Sequence, residues 1–430
     1  MNEMLLQYIW DQQLFNLGLL QTTRNEKIKV HMPGQWNRDQ GPDFLAARIE
    51  IGEHILAGHV EIHVNSSEWE QHGHQHDPNY NNVVLHVVWK DDQKLISPLP
   101  VAELHQLVPS YIIKKYSDWM WRKQLIPCSD EIGHVAQSHT RSFFRWMTEQ
   151  RYSRRADQVI NRVQELGMDW EEAFWQAVSR SFGYKVNAEA FENIASAIPY
   201  KIVLKLRSQL MPLEALLLGQ AGLLRADTND DYAKELFREY AFLKKKYGLA
   251  RSYIPVHFLR MRPINFPTVR LAQLARLVFE LPDLFRKVKE MKDPVTLKKM
   301  LKLEAGKYWD DHYRFNELSV PRKKVIGEQL INSLIANTIL PFILAYNKHT
   351  GNRQMEENAM SWLDQLDGDN NSIIREFEKA GVIPANMNDT QGMLELHKQY
   401  CSKSRCSECA IGQLLLKKYP VSTVINMIGQ

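Results

Sequence analysis

The stretch "GHVEIHV", residues 58–64, alternates polar and apolar side chains in the way that predicts a β-strand. His59, Glu61 and His63 occupy every second position, and valine or isoleucine fills the positions between them. Because a strand directs successive side chains to opposite faces, one face would be apolar and the other would carry two imidazoles and a carboxylate. That second face is either a metal site or the solvated side of a sheet.

The segments around this strand predict an α+β domain over residues 1–110. "EMLLQYIWDQQLF", residues 3–15, has its apolar side chains at helical spacing. "EKIKVHMPG", "DFLAARIEIG" and "VVLHVVW" are short, β-branched and bounded by turn residues, which is typical of strands. We expect Gly52 to form the turn of a hairpin that brings "DFLAARIEIG" beside "GHVEIHV".

Beyond this domain the sequence predicts helices. We expect a linker over residues 111–137, an all-α domain over 138–390, and a helical tail with a cysteine cluster over 391–430. Amphipathic segments such as "TVRLAQLARLVFEL" dominate this part, and no constant repeat period is visible.

Bulk properties set the expected cellular context. The net charge of +4 is mildly basic, which permits DNA or RNA as a partner without requiring it. No secretory signal and no window of about 18 apolar residues is visible, so we expect a cytoplasmic protein without a membrane partner. The oligomeric state is not predictable from these features.

A two-carboxylate metal site is one interpretation of the histidine-rich stretch. Asp43 follows a Gly-Pro turn at the start of one predicted strand, and Glu61 lies within its predicted neighbour. Two carboxylates on adjacent strands can share Mg²⁺ or Mn²⁺, which lowers the pKa of an attacking water. His63 would share the face of Glu61 and could assist that water.

The order of these residues resembles the PD-(D/E)XK nuclease core, the αβββαβ fold of restriction endonucleases. The matching features are Pro42 and Asp43, a hairpin, and E-x-H at Glu61 and His63. The resemblance implies a metal-dependent nuclease or phosphodiesterase acting on nucleic acid, with His63 where lysine is usual. Glu3 matches a glutamate that some members carry in the first helix. Over the full chain, "NRDQGPDFLAARIEIG" and "RPINFPTVRLAQLA" resemble an uncharacterised bacterial domain-of-unknown-function family. This second resemblance does not indicate a particular activity.

Two further interpretations remain open for the histidines, seven of which lie between residues 54 and 86. A transition metal such as Zn²⁺, Mn²⁺ or Fe²⁺ suits the set His59, Glu61 and His63. That set could be completed by His86, or by His74 with Asp77. Alternatively, the strand is structural, and the chain is a non-catalytic protein that binds nucleic acid or protein.

The tail holds the second candidate metal site. Cys401, Cys406 and Cys409 are clustered, and Cys128 is the remaining cysteine. Four thiolates can hold structural zinc or an iron–sulfur cluster, with His397 as a rival fourth ligand for zinc. The alternative is a group of reduced, half-buried thiols.

An arginine-rich segment in the helical part is a candidate nucleic-acid contact. Arg260, Arg262, Arg270 and Arg276 lie close together in sequence, and arginine binds phosphate well. Alternatively, these arginines pair with acids between helices.

Overall fold

The computed structural model, which describes residues 1–93, 98–250 and 254–417, builds the N-terminal region around a six-stranded sheet. The strands are β1 (Ile28–Met32), β2 (Gln35–Trp36), β3 (Phe44–Ile51), β4 (His54–Asn65), β5 (Val83–Lys90) and β6 (Val101–Glu103). Their order is β1-β3-β4-β5-β6, with β2 beside β3. β3 is antiparallel to β1 and β4, whereas β5 is parallel to β4 and β6. The predicted mixed α/β region is therefore confirmed, and the short strands β2 and β6 are additions to it.

The predicted hairpin is also confirmed. β3 and β4 pair from Ile51 with His54 to Phe44 with Val60, and Gly52 in the turn has φ +59. Glycine adopts this left-handed conformation without the steric cost that a Cβ brings. The register places the beginning of β3 beside the middle of β4, which is where the two predicted carboxylates lie.

Four α-helices that end before residue 137 accompany the sheet in the described part of the N-terminal region. They are α1 (Glu3–Asp11), α2 (Glu68–Gln71), α3 (Ser110–Trp121) and α4 (Ser129–Ile132). Asn2 begins α1 by accepting the backbone N–H of Leu5 at 2.9 Å, which satisfies one free donor of the first turn. Leu6, Ile9 and Trp10 of α1 are fully buried, so the predicted amphipathic helix packs its apolar face into the core.

The remainder is mostly helical, as predicted. Its helices are α5 (Gln137–Glu165), α6 (Trp170–Phe182), α7 (Tyr184–Ser196), α8 (Tyr200–Leu206), α9 (Leu210–Gln220), α10 (Asp231–Tyr247), α11 (Pro267–Glu280), α12 (Leu284–Glu290), α13 (Pro294–Leu301), α14 (Glu328–Leu334), α15 (Leu340–Thr350), α16 (Arg353–Met360), α17 (Ser372–Lys379), α18 (Met387–Gln399) and α19 (Ala410–Lys417). Two short strands that the sequence did not indicate, β7 (His312–Arg314) and β8 (Glu317–Leu318), form a separate ladder.

The chain divides into two units. Unit 1 comprises Met1–Phe143, Asn371–Ile383 and Leu394–Gln430, and unit 2 comprises Phe144–Asn370 and Pro384–Met393. Residues 111–137, predicted as a linker, contain α3 and α4 of unit 1. The predicted tail returns to unit 1 from Leu394 onward, and its last residues, 418–430, lie outside the described residues.

One helical run in unit 2, Glu328–Thr350, is long and apolar enough to cross a membrane by length and composition. Most of its apolar window is buried inside the protein, as in the core helix of a soluble fold. A π-helical turn, Ile335–Ile339, interrupts it just before Pro341, a residue that has no N–H for the helical ladder. The expectation of no membrane partner stays a prediction.

Candidate metal centre

Asp43 and Glu61 lie side by side because β3 and β4 are neighbours. Glu61 Oε2 accepts the backbone N–H of Asp43 at 3.0 Å. Asp43 Oδ2 in turn accepts the backbone N–H of Ile62 at 3.0 Å. Each carboxylate is thus held by the backbone of the other strand, and the predicted acid pair is brought together.

Helix α1 adds a third carboxylate and an amide to this acid pair. Gln7 Nε2 donates to Asp43 Oδ1 at 2.8 Å and to Glu3 Oε1 at 3.0 Å. The side chain of Gln7 is buried in spite of its polarity, because both of its amide hydrogens have acceptors. Glu3, predicted as a secondary site residue, therefore lies in the same carboxylate group as Asp43.

Histidines from two strands and one loop border Glu61. His63 Nε2 lies 3.5 Å from Glu61 Oε1, and His74 Nε2 lies 3.4 Å from the same oxygen. His72 Nδ1 lies 3.3 Å from His63 Nε2. One ligand atom from each of His63, His72 and His74 lies within 4.8 Å of the others, a spacing that can hold a metal ion.

His86 supports His63 from the neighbouring strand. In the parallel ladder between β4 and β5, Glu61 is paired with His86, and His86 Nε2 lies 2.9 Å from His63 Nδ1. Both rings are buried. Since the second nitrogen of a metal-binding histidine is normally fixed by a hydrogen bond, this contact would set the tautomer and orientation of His63.

His74 leaves a polar atom without a partner at the centre of this group. Its Nε2 is buried and makes no hydrogen bond, since the approach to Glu61 lacks hydrogen-bond geometry. A buried polar atom without a partner costs roughly 1–3 kcal/mol. This atom and the neighbouring Glu61 oxygen face each other, which is the arrangement that a bound cation would stabilise.

A left-handed glycine in the loop between β4 and β5 separates the two loop histidines of the group. Gly73, at φ +74, separates His72 from a 3₁₀ turn, His74–His76. The ring of Tyr80 stacks on His74 at 3.8 Å between centroids. Trp69, which is buried, contacts the edge of the same imidazole at 5.4 Å. The aromatic rings therefore restrict the orientation of His74.

Burial controls the protonation of these groups. It raises the pKa of Asp43 and of Glu61, and the charge of the neighbouring carboxylate raises each further. It lowers the pKa of His63 to about 2 and that of His86 to about 3, with additional repulsion from the surrounding imidazoles. The site thus combines neutral imidazoles with carboxyl groups whose ionisation a bound cation would favour.

Two predicted secondary residues have other partners. His59 Nδ1 accepts the backbone N–H of Ala46 at 3.3 Å, next to a register shift between β4 and β5. Asp77 accepts the backbone N–H of Asn79 at 2.9 Å and so begins a second 3₁₀ turn. Neither residue belongs to the histidine group.

Three residues of the site, His72, Gln7 and Tyr80, were not predicted from the sequence. His72 had a visible signal, because "HGHQH" places three histidines at alternate positions. Gln7 carried no signal, since its role depends on where α1 lies against β3. Tyr80 follows the histidines in sequence, but nothing in its residue type indicated that it would stack on His74.

The cysteines and arginines lie elsewhere. Cys128 and the three tail cysteines all belong to unit 1, and their thiols are free. Arg270 is buried, with hydrogen bonds to Gln273 and Asn265, whereas Arg260 and Arg262 are exposed. The predicted contact between these arginines and phosphate stays a prediction. For Arg270 it would require a buried side chain that already makes hydrogen bonds inside the protein.

Comparison with known proteins gives one match. A family model described as "Protein of unknown function (DUF2851)" matches residues 3–372, a span that contains every residue of the candidate metal centre. No curated protein and no solved structure matches the chain.

Proposed function

This chain belongs to the family described as "Protein of unknown function (DUF2851)", and we propose that its unit 1 is a divalent-metal-dependent phosphodiesterase acting on nucleic acid. One observation carries the proposal. The unpartnered Nε2 of His74 and the Oε1 of Glu61 face each other at 3.4 Å, with His63 Nε2 at 3.5 Å from the same oxygen. A buried nitrogen without a hydrogen-bond partner, beside a carboxylate oxygen and a second imidazole nitrogen, is a set of donor atoms suited to a cation.

The donor set favours Mn²⁺ over Mg²⁺. Mg²⁺ prefers oxygen ligands, whereas imidazole nitrogen suits transition metals. Glu61, His63 and His74 would hold the ion, with His72 at the exposed side. Asp43 would bind it or orient Glu61 through the backbone contact. This mixed set of oxygen and nitrogen donors is compatible with the prediction of Mg²⁺ or Mn²⁺, and it favours Mn²⁺.

His63 and His72 would have different roles in the proposed reaction. A bound divalent ion polarises a phosphoryl oxygen and lowers the pKa of a water molecule. His63 is buried and neutral, which suits a ligand better than a proton acceptor. His72 is exposed and contacts His63, so it is the histidine of the group that lies next to solvent and can orient a water molecule. The predicted role of His63 as helper of the water is thus reassigned to His72 within this proposal.

Nucleic acid is the proposed substrate because of the order of the site residues. A glutamate on α1, an aspartate before β3 and a glutamate on β4 follow the arrangement in the PD-(D/E)XK nuclease core that these residues resemble. Gln7 and the two strands bring all three acids into one group. The elements run in the order helix, strands, helix and strand, with additional short strands β2 and β6, so a restriction-endonuclease-like fold is part of the proposal.

A second candidate function is supported by the three clustered histidines. His63, His72 and His74 with Glu61 form a donor set that also suits Zn²⁺ or Fe²⁺. Such a site could act on a small molecule, as the transition-metal interpretation of the strand allows. A site that binds metal but cleaves no phosphodiester would favour this candidate.

The decisive experiment combines metal binding with cleavage. The full chain would be incubated with plasmid DNA, single-stranded DNA and RNA, each with Mn²⁺, Mg²⁺ or EDTA. We expect Mn²⁺-dependent cleavage that falls by at least about 10–100-fold in Glu61→Gln, the range for disturbing a metal's ligand environment. Glu53→Gln, at the exposed hairpin of the same strands, should retain wild-type cleavage.

Four outcomes would contradict the proposal. Cleavage that persists in EDTA would exclude metal dependence, and equal cleavage by Glu61→Gln would place the active site elsewhere. Calorimetric binding of Mn²⁺ without cleavage of any of the three substrates would reject the phosphodiesterase. Absence of both binding and cleavage would favour the non-catalytic alternative.

A further inference from the structure

The fold gathers all four cysteines of the chain in unit 1, although Cys128 lies far from the others in sequence. Cys128 directly precedes α4, Cys409 directly precedes α19, and these two helices contact each other. Burial raises the pKa of the Cys128 thiol, and the thiols of Cys401, Cys409 and Cys406 raise it further. The contact between α4 and α19 thus brings Cys128 to the segment that carries the other three thiols.

The turn between Cys406 and α19 packs closely around Cys409. Burial raises the pKa of the Cys409 thiol to about 11, and the backbone N–H groups of Gly412 and Ile411 offset part of that increase. A methyl group on Gly412 would lie 2.1 Å from the carbonyl oxygen of Cys406, so only glycine permits this close approach. Cys128, Cys406 and Cys409 are buried, and Cys401 is half-buried.

Hydrogen bonds fix the helices that carry these thiols. Lys115 of α3 donates to Glu131 of α4 at 2.7 Å and to the carbonyl of Leu415 in α19 at 3.0 Å. Trp119 Nε1 donates to the other oxygen of Glu131 at 3.3 Å. Three helices are therefore tied together beside the cysteines, as a rigid binding site requires.

The spacing of the sulfurs distinguishes two kinds of metal centre. Four thiolates around one zinc ion lie about 3.8 Å apart, from Zn–S bonds of about 2.3 Å in a tetrahedron. Among the residues that the structure describes, no three cysteine sulfurs lie within 4.8 Å of one another. The group that meets this spacing consists of His63, His72 and His74. A cluster distributes its thiolates over several iron atoms and so accepts wider spacing.

We propose that Cys128, Cys401, Cys406 and Cys409 bind one iron–sulfur cluster, which fastens the C-terminal segment of unit 1 to its α4 region. The spacing C-x₄-C-x₂-C of the tail cysteines is one that cluster proteins use. The four thiols lose their protons on binding. The proposal is independent of the phosphodiesterase, because it uses none of the histidines or carboxylates of the metal centre.

The cluster has a structural consequence for α1. The hydroxyl of Tyr8 donates to the carbonyl of Gln413 at 3.0 Å, which joins α1 to α19. Helix α1 also carries Glu3 and Gln7, whose side chains bond to each other and, through Gln7, to Asp43. By holding α19, the cluster would position α1 against the acid pair.

The test is the composition of the full chain purified anaerobically after expression with added iron. We expect about two or four iron atoms per chain, an equal amount of acid-labile sulfide, and visible absorption that bleaches on reduction. Stoichiometric zinc without sulfide would overturn the proposal, and so would protein that lacks sulfide under these conditions.

Variants identify the ligands and separate this site from the other one. Cys406→Ser should lose the sulfide and the visible absorption, whereas Ser402→Ala, exposed in the same segment, should keep both. His74→Ala should keep the sulfide while losing Mn²⁺ binding. Sulfide that persists in Cys406→Ser would reject the ligand set.

Hydrogen exchange tests whether the cluster holds α19 and α1 in place. The exchange of backbone amides in these two helices should become faster when the cluster is removed by chelation. Unchanged exchange would reject the anchoring role of the cluster.

Discussion

Glu61 accepts the backbone N–H of Asp43, and Asp43 accepts the backbone N–H of the residue that follows Glu61. The two acids therefore constrain each other across β3 and β4 without a direct bond between their carboxyl groups. Reciprocal bonds of this kind hold the carboxylates in one orientation before any ligand binds, so little ordering entropy remains to be lost on metal binding.

The first prediction concerns the replacement of Glu61 by glutamine. Glu61→Gln keeps an oxygen for the N–H of Asp43 but removes the charge beside His63 and His74. We expect the dissociation constant for Mn²⁺ to rise by at least about 10–100-fold, measured by titration calorimetry. Glu53→Gln is the matched control, and an unchanged constant for Glu61→Gln would remove Glu61 from the ligand set.

The second prediction is that stabilisation by Mn²⁺ grows with pH. Burial raises the pKa of Asp43 and Glu61 in the metal-free protein, so the folded state holds their protons more tightly than the unfolded chain. The stability that these two groups contribute to the folded state is fully present below about pH 4. It is lost as the pH rises through their raised pKa values. The buried histidines act oppositely, because their lowered pKa values cost stability below about pH 6.5.

Among the groups of the metal centre, the contribution of the buried histidines is constant above about pH 6.5, and the contribution of Asp43 and Glu61 still changes. The midpoint temperature of unfolding in EDTA should therefore decrease as the pH is raised from 6.5 to 8.5. The midpoint in Mn²⁺ should fall less, because protons compete less with the ion. The difference between the two midpoints should shrink in Glu61→Gln. A difference that is independent of pH would show that these carboxyl groups do not bind the ion.

The third prediction tests whether His86 orients His63. His86→Phe removes the nitrogen that lies 2.9 Å from His63 Nδ1 while preserving a ring at this buried position. We expect Mn²⁺ affinity to fall by about 10–100-fold. The secondary structure should persist, as measured by circular dichroism in EDTA. His54→Phe, on the exposed part of β4, should keep wild-type affinity, and the same affinity in His86→Phe would exclude the orienting role.

The four longer strands of unit 1, β1, β3, β4 and β5, and the Gly52 hairpin were predictable because alternation and turn residues are local signals. The neighbourhood of Asp43 and Glu61 followed from that hairpin alone. The position of α1 against Asp43 was not predictable, since it depends on packing between segments that no periodicity relates. The same holds for the return of residues 371–383 and the cysteine tail to unit 1, which depends on long-range contacts.

The arrangement of the loop residues was not predictable for a different reason, although the run of histidines was visible in the sequence. His74 lies beside Glu61 and His72 beside His63, and Gly73 takes a left-handed conformation between the two loop histidines. A glycine in a loop permits such a turn but does not specify it. His59 shows the converse, because strict alternation placed it beside Glu61, while the register shift at this position and its contact with Ala46 give it other surroundings.

The fourth prediction concerns a buried carboxyl group in unit 2. Glu214 is fully buried and accepts the hydroxyl of Tyr232 at 2.6 Å and the indole N–H of Trp309 at 3.1 Å. Burial raises its pKa, so stability from this group is present below about pH 4.5 and is lost as pH rises through the folded value. Glu214→Gln should show a flatter dependence of unfolding midpoint on pH between 5 and 8. An identical pH dependence would mean that Glu214 ionises as readily in the folded state as in the unfolded chain.

The fifth prediction concerns the contact between α9 and α10. A methyl group on Gly219 would lie 2.1 Å from the ring of Tyr240, whose hydroxyl is tied to Gln220 at 3.1 Å. Gly219→Ala should therefore lower the free energy of unfolding by about 1–3 kcal/mol through overpacking, although alanine favours the helix by about 1 kcal/mol. Gly327→Ala, where an added methyl meets nothing within 4 Å, should cost less than about 1 kcal/mol, the typical loss at a helix N-cap. Stabilisation of Gly219→Ala in denaturant titrations would show that Tyr240 moves aside at little cost.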